Sequence, residues 1–456
     1  MTHGARVDVV CGVDIGTSNV KVIVLDRHGA VVARVVRKTP RGALGLSVDV
    51  DGLLSCIEDM IIEACSSRFL VVGVCTAGIG EDGILIDHDG HEISAPLAWF
   101  DPRRQSIFRE LGPLLGSDES FDVDSDPART MVGWVWARSE VGAENAAHWV
   151  ALTDLPGVRW TGRPFMSESL ASRTGARRSR ERAWSSSRIG LTLGSVDLLP
   201  PVRPTGHVAG PLNSRRLRDE GVLGCDAVVV VGGHDHLIAG WGAEQLSAGA
   251  VLDSMGTAEV IVARPSAPTH PLRRNFDIAP SIDTPGFTFL RVEELARNVQ
   301  WASQDPGVAG QIQRLLEGAA PIASILEAGH FIPGRRGGGT PAYAVDAPRD
   351  PRSRATAVLG ALAVAGREAV SEIRPSAVVD RTARSDVWLA GGWARSPGWV
   401  AIKTAVNGFN PRLITEPELT GVSAALLAGR AIGWNPDARR ALQGPAAATA
   451  AGRNVD

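Results

Sequence analysis

Between Val7 and Val36 β-branched residues alternate along the chain and are interrupted by turns at Gly16 and at His28-Gly29, a pattern that predicts consecutive antiparallel strands. Apolar residues from Leu53 to Ser66 fall at helical spacing, and the short run Leu70 to Cys75, ending in Thr76-Ala77-Gly78, reads as a buried strand feeding a loop. Strands mixed with helices make the class α/β. Gly112 to Arg188 is richer in tryptophan and arginine and reads as helices and loops rather than sheet, an insertion or lobe extension. After Pro-rich turns and a polar helix, the apolar run Ala227 to Val231 stops abruptly at Gly232-Gly233-His234-Asp235-His236, a strand that delivers an acidic residue to a loop. Gly249 to Ala263 reads as strand, Gly-Thr turn and strand, Ala355 to Ile373 as a long Ala-rich helix, Asp386 to Leu389 as a short strand and Thr420 to Ile432 as a final helix. From Asn435 to Asp456 the chain is Ala, Gly and Arg with little to bury, and is expected to be loosely ordered.

Composition narrows the function classes. The 456 residues are 44% hydrophobic and 21% charged, which fits two or three globular domains and excludes a disordered or fibrous chain. A net charge of -3 offers no basic excess to recruit nucleic acid or an acidic membrane surface, so small molecules are the expected partners. The five cysteines show no C-x-x-C spacing and read as small core residues of a reducing compartment. Met1 to Arg6 carries no signal-peptide pattern, and the apolar run behind it, broken by Asp8 and Asp14, is too short to span a bilayer; a cytoplasmic protein is expected. Among 47 basic residues only Lys21, Lys38 and Lys403 are lysines, which makes each of them conspicuous. The Arg-rich stretch Arg173 to Arg188, interleaved with Ser and Gly, reads as a solvated loop rather than a phosphate or RNA patch.

One internal repeat carries chemistry. Val13-Asp14-Ile15-Gly16-Thr17 recurs as Leu252-Asp253-Ser254-Met255-Gly256-Thr257, one residue longer. A Gly-Thr turn between strands presents backbone N–H groups and a hydroxyl, a nest suited to phosphate oxygens. Two such turns facing each other could clamp one triphosphate.

From Asp14 to Gly429 the order of these motifs resembles the FGGY family of carbohydrate kinases, within the larger actin-like ATPase fold. The resemblance implies a first phosphate turn of Asp14, Gly16, Thr17, Ser18, Asn19 and Lys21, with Asp14 helping to hold Mg2+, largely through water, and Lys21 near the transferred phosphate. Gly80-Glu81-Asp82-Gly83 is similar to the family's substrate loop, so Glu81 would accept hydrogen bonds from sugar hydroxyls. Pro96-Leu97-Ala98-Trp99-Phe100-Asp101-Pro102-Arg103 is similar to its P-x-x-W-x-D-x-R run, with Trp99 and Arg103 on the sugar side. Trp149, Asp154, Trp160-Thr161-Gly162 and Ser169-x-Ala171-Ser172-x-Thr174 keep the family's order for structural reasons. Asp235 matches the catalytic base and would also face the metal, and His236 stands at a substrate-touching position. Gly256 and Thr257 match the second phosphate turn. The Pro333 to Pro341 loop, with Gly338, Arg335 and Arg336, matches a segment that approaches the nucleotide. Leu389-Ala390-Gly391-Gly392-Trp393-Ala394-Arg395-Ser396 resembles the adenosine motif, with Gly391, Gly392 and Ser396 as contacts. The residues alone leave Glu81 open as an exposed loop glutamate, Trp99 as core and Lys21 as a solvent-facing strand residue.

The expectation is an α/β enzyme of two actin-like (ribonuclease H-like) domains around an ATP and sugar cleft. Residues 1–245 would bind sugar and carry the first phosphate turn and Asp235, 246–434 would bind nucleotide, and 435–456 would be a loose tail. The activity implied is transfer of the γ-phosphoryl group of MgATP to a small ketose, a pentulose first. A polyol kinase of glycerol or erythritol type is the alternative, with a phosphohydrolase and a catalytically silent nucleotide- and sugar-binding regulator as rivals. A homodimer is what the family often implies.

Overall fold

The structure is a computed structural model that describes residues 6–42, 45–115, 126–265, 276–335, 339–374 and 386–444. Two six-stranded sheets form its frame. The first contains β1 (Val7–Ile15), β2 (Asn19–Asp26), β3 (Val31–Lys38), β4 (Phe69–Gly78), β5 (Val208–Pro211) and β6 (Leu223–His234), in the order β5-β6-β4-β1-β2-β3. The second contains β7 (Val251–Met255), β8 (Ala258–Ala263), β9 (Asp277–Pro280), β10 (Phe287–Glu294), β11 (Val387–Ala390) and β12 (Arg412–Leu413), in the order β9-β10-β8-β7-β11-β12.

The two sheets share one plan. β1 pairs antiparallel with β2 and parallel with β4, and β7 pairs antiparallel with β8 and parallel with β11. An antiparallel third strand, β3 or β10, and a further parallel strand, β6 or β12, complete each set. The repeat glimpsed in two Gly-Thr turns is therefore a repeat of five strands, with β5 and β9 added at opposite places in the plan.

Five helices matter for the site: α1 (Val50–Cys65), α2 (Asp235–Glu244), α3 (Pro351–Ile373), α4 (Pro397–Asn407) and α5 (Leu419–Ala431). Their starts follow local chemistry. Asp49, Asp350 and Ser396 cap α1, α3 and α4 by accepting from Gly52, Ser353 and Trp399 amides, satisfying donors that a first turn leaves open. α5 is buried on every side from Gly421 to Gly429, so it belongs inside the molecule rather than on its surface. One apolar cluster joins Val10, Ile23 and Val230 of the first sheet to α2, α5 and Leu252, Val260 and Val262 of the second.

Glycines set how closely these parts approach. A Cβ on Gly12 of β1 would lie 1.9 Å from the Gly421 carbonyl oxygen, and one on Gly242 of α2 would lie 1.9 Å from Ser423 Oγ of α5. A Cβ on Gly240 would meet Val262 of β8 at 2.4 Å. The contacts run in series from first sheet to α5, to α2, to second sheet.

Three expectations are corrected. Gly112 to Arg188 is not free of sheet, because His148–Ala151 pairs antiparallel with Gly83–Ile86 beside the buried, edge-to-face pair Trp134 and Trp149. Asn435 to Gly444 is not a loose tail: Ala438–Gln443 is helical, and Ala438, Ala441 and Leu442, at i, i+3 and i+4 spacing, enter the shared core, while 445–456 lie outside the described residues. The arginine stretch is not a solvated loop, since Arg173, Arg177 and Arg188 are all buried. Of the cysteines, Cys11, Cys65 and Cys75 are buried, Cys56 is partly buried and Cys225 is exposed. Among the described residues no helix is long and apolar enough to cross a membrane.

Gly12→Ala is expected to destabilise the protein by on the order of 1–3 kcal/mol, because the added methyl meets backbone that cannot rotate away. Urea unfolding checks this, and an unchanged midpoint would contradict so close an approach of α5 to β1.

Candidate active site

Both Gly-Thr turns open onto one cavity of about 410 Å³ between the sheets. Thr17 lines it from the β1–β2 turn, and Gly256 and Thr257 line it from the β7–β8 turn. The glycine amides are not the free donors that the sequence suggests, since Gly16 N–H donates to Asn19 O at 3.0 Å and Gly256 N–H to Ala258 O at 2.9 Å. The threonine side chains are what reach the cavity. Thr17 Oγ1 accepts from Trp99 Nε1 at 2.9 Å, which leaves its own proton to donate. A Cβ on Gly256 would meet nothing within 4 Å, so that side of the turn is open space.

Asp235 reaches the same cavity as the first residue of α2, where the unpaired amides of a helix start favour negative charge. Its Oδ1 accepts from the His236 amide at 2.6 Å. His234 Nδ1 and His236 Nε2 stand 3.6 and 3.9 Å from that oxygen, flanking it without a tight bond. Burial holds the His234 imidazole down at about 3, so it is neutral. The loop that carries Asp235 is clasped from outside: Ser169 Oγ accepts from His234 N–H at 3.1 Å, and Thr205 Oγ1 donates to Gly232 O at 2.9 Å. Gly233, at φ 146, has a conformation that suits glycine alone, and a Cβ there would strike Ser169. Ser169 lies in the run read as merely structural, and this clasp is its task.

Glu81, Trp99, Arg173 and His236 also line the cavity, with Ile79 and Gly80. Glu81 is no exposed loop glutamate: it is 8% exposed, accepts from Arg173 Nε at 3.0 Å and takes the Gly80 amide at 3.1 Å. Trp99 is not core, being 39% exposed with its indole N–H on Thr17. Arg103 departs from expectation. It forks onto Asp101 at 3.0 and 2.7 Å, stacks 4.3 Å over Trp136 and is not among the cavity's lining residues. Its neighbour Arg104 is the buried one, donating to the carbonyls of Ala98 at 2.8 Å and Leu97 at 2.7 Å, and thereby bracing the segment before Trp99.

Lys21 does not face solvent. Its ammonium is held by Asp14 at 2.8 Å and Glu418 at 3.1 Å. Burial alone would lower its pKa, but the two carboxylates outweigh that and hold it above the usual lysine range. Burial pushes the Asp14 carboxyl up, Lys21 pulls it down, and the charge of Asp235 pushes it up again, so the two aspartates feel one another. Asp14 is 5% exposed and is not among the residues that line the cavity, whereas Asp235 is. Among the described residues the one tight group of metal-type ligands, Asp87, Asp89 and His91, stands at another turn.

The remaining expected residues divide. Ser18 is exposed at the hairpin tip and Asn19 closes the turn, and neither lines the cavity. Gly391 does line it, at φ 88, where a Cβ would meet the Met255 carbonyl at 2.3 Å, and Gly392 follows it in the exposed turn. Ser396 is occupied as the cap of α4, accepting from Trp399 and donating to Leu316 O at 2.6 Å. Gly338 and Arg336 lie outside the described residues.

L-fuculokinase of Escherichia coli (strain K12) is 23% identical over 454 residues, covering 93% of each chain. Xylulose kinase of Bacillus subtilis (strain 168) is 24% identical over 271 residues, covering 56% of this chain and 53% of that relative. In fold, ligand-bound xylulose kinase from Lactobacillus acidophilus superposes with a TM-score of 0.78 at 16% identity, covering 96% of this chain and 92% of that one. Plasmodium falciparum glycerol kinase with ADP gives a TM-score of 0.78 at 14% identity, covering 97% and 94%. The two-domain actin-like fold is therefore the fold of this chain. Residues 9–242, half of the chain, match the FGGY family of carbohydrate kinases, N-terminal domain, and the chain belongs to that family of ATP-dependent phosphotransferases.

Proposed function

We propose that this sugar kinase transfers the γ-phosphoryl group of MgATP to a hydroxyl of a small ketose, with Asp235 as the base. The observation that carries it is the convergence of Asp235, both threonine turns and Glu81 on one cavity. The names of the relatives, L-fuculokinase and xylulose kinase, support a ketose over a polyol.

The chemistry follows from placement. Glu81 and Trp99 hold the sugar so that one hydroxyl lies against Asp235. Asp235 takes the hydroxyl proton as the new O–P bond forms and ADP departs. Thr17 and Thr257 donate to phosphate oxygens from the two sides, and Gly391 lets the backbone lie close to the nucleoside. Asp14 and Asp235 fit a magnesium ion, which takes one or two carboxylates together with water and phosphate oxygens, and their mutual repulsion is what such a cation would relieve. When bound, the ion neutralises charge on the phosphates. Lys21, spent on Asp14 and Glu418, fixes the turn rather than carrying a free charge to the phosphate. We assign 1–245 to sugar binding and 246–434 to nucleotide binding, although α5 of the latter packs on β1.

ADP release from MgATP across a panel of ketoses, aldoses and polyols tests this. Turnover is expected with a ketose, and Asp235→Ala should lower it by roughly 10²–10⁴-fold while leaving the melting temperature intact. ATP hydrolysis that is indifferent to sugar would point to a phosphohydrolase, turnover with polyols alone to the glycerol type, and nucleotide binding without turnover to a regulator.

Gly256→Ala adds a methyl on the open side of the second turn, where no protein atom lies within 4 Å of it. It is expected to raise the Kd for ATP about tenfold or more, with no change in the nucleotide-free melting temperature. Calorimetric titration checks it, and wild-type affinity would remove Gly256 from the phosphate site.

A further inference from the structure

Behind Glu81 lies a row of buried charges that neither the phosphates nor the proton transfer uses. Arg173 binds Glu81 through Nε and Nη2, and its Nη1 turns to Asp277 Oδ2. Arg129 Nη2 binds the other oxygen of Asp277, and its Nε lies 3.7 Å from Asp126. Signs alternate along the row from Glu81 to Asp126, and the four side chains from Glu81 to Arg129 are between 5 and 11% exposed.

The members come from different parts of the fold. Glu81, Arg129 and Arg173 belong to the half that contains the first sheet, while Asp277 lies on β9 of the second. β9 is the strand that the five-strand repeat does not require. Arg173 and Glu81 both line the cavity, so the row ends at its wall.

Stability alone is a poor reason for such a row. Removing several charges from water costs about as much as their attraction returns, and apolar replacements of buried ion pairs are often neutral or better. What the row supplies is position. Glu81 Oε1 is fixed by the planar fork of Arg173, and Arg173 is fixed in turn because Asp277 holds its third nitrogen. Without Asp277 two guanidinium groups would stand together with one carboxylate fewer to neutralise them, and Arg173 would swing.

We propose that Arg173 is a positioning residue that presents Glu81 to the sugar hydroxyls, and that Asp277 latches it from the opposite sheet, so the sugar site is complete only while the two halves are in contact. This rests on Glu81 being the sugar-side carboxylate. Sugar affinity then depends on the Arg173–Asp277 contact, whereas nucleotide binding at the threonine turns does not use it.

The test uses the full chain with the ketose it turns over. Asp277→Asn is expected to raise the sugar KM about tenfold or more, with the Kd for ATP within about twofold of wild type. Asp277→Glu should recover part of that loss. Arg173→Lys, which keeps the charge and loses the fork, should raise the sugar KM similarly at an unchanged melting temperature, and it serves if Asp277→Asn does not fold. A wild-type sugar KM in these variants would overturn the inference and leave the kinase assignment standing. So would a parallel loss of ATP affinity, sugar affinity and melting temperature, which would make the row a support of the fold. A wild-type protein that phosphorylates no ketose would overturn the substrate reading, and this inference with it.

Discussion

The contact on which the molecule depends is the passage of α5 between β1 and α2, at a separation that only glycine permits on both sides. Gly12 admits the Gly421 carbonyl, and Gly242 admits Ser423. Because α2 begins with Asp235 and β1 ends beside Asp14, that packing fixes the distance between the residue proposed to take the proton and the turn proposed to hold phosphate. Gly240 against Val262 then carries the same constraint to the second sheet, whose β7–β8 turn closes the cavity. A protein interior is dense enough that such contacts transmit position rather than absorb it. The geometry of the site is in this sense a consequence of three glycines that do not line it.

Around that frame, charge is arranged by neutralisation. Two of the chain's three lysines are each clasped by two carboxylates, Lys21 by Asp14 and Glu418, and Lys403 by Asp253 and Glu259. Asp14 and Asp253 are the acidic members of the two repeated turns, yet their lysines come from a neighbouring strand in one half and from α4 in the other. The repeat conserves the need and not the donor. Gly366 on α3 leaves room for the second cluster, since a Cβ there would lie 2.0 Å from Glu259 Oε1. A compact ammonium suits two converging carboxylates, whereas the planar guanidinium of Arg173 suits two carboxylates that stand apart.

Much of this was legible in the sequence because it is local. Alternating β-branched residues gave both hairpins, and a run of apolar residues halted by Gly232-Gly233 gave the strand that delivers Asp235. What escaped depends on partners distant in the chain. Arg173 sits in a Ser- and Gly-rich stretch that looks solvated, and its partners are 92 and 104 residues away. The doublet Arg103-Arg104 offers two identical side chains to the eye, while the helix they begin sends one to Asp101 and the other inward. That Ser396 caps α4 escaped because its motif does not distinguish a cap from a ligand. The segment from Asn435 to Gly444 escaped for a different reason: three apolar residues at helical spacing, two of them alanines, suffice where they join a core built by the rest of the chain.

The central claim, that phosphoryl transfer goes to a sugar hydroxyl lying against Asp235, is tested most directly by the ³¹P spectrum of the protein with MgATP and a ketose substrate. The account predicts one phosphomonoester for each ADP formed, with inorganic phosphate absent. Inorganic phosphate appearing in step with ADP while the sugar stays unmodified would contradict it.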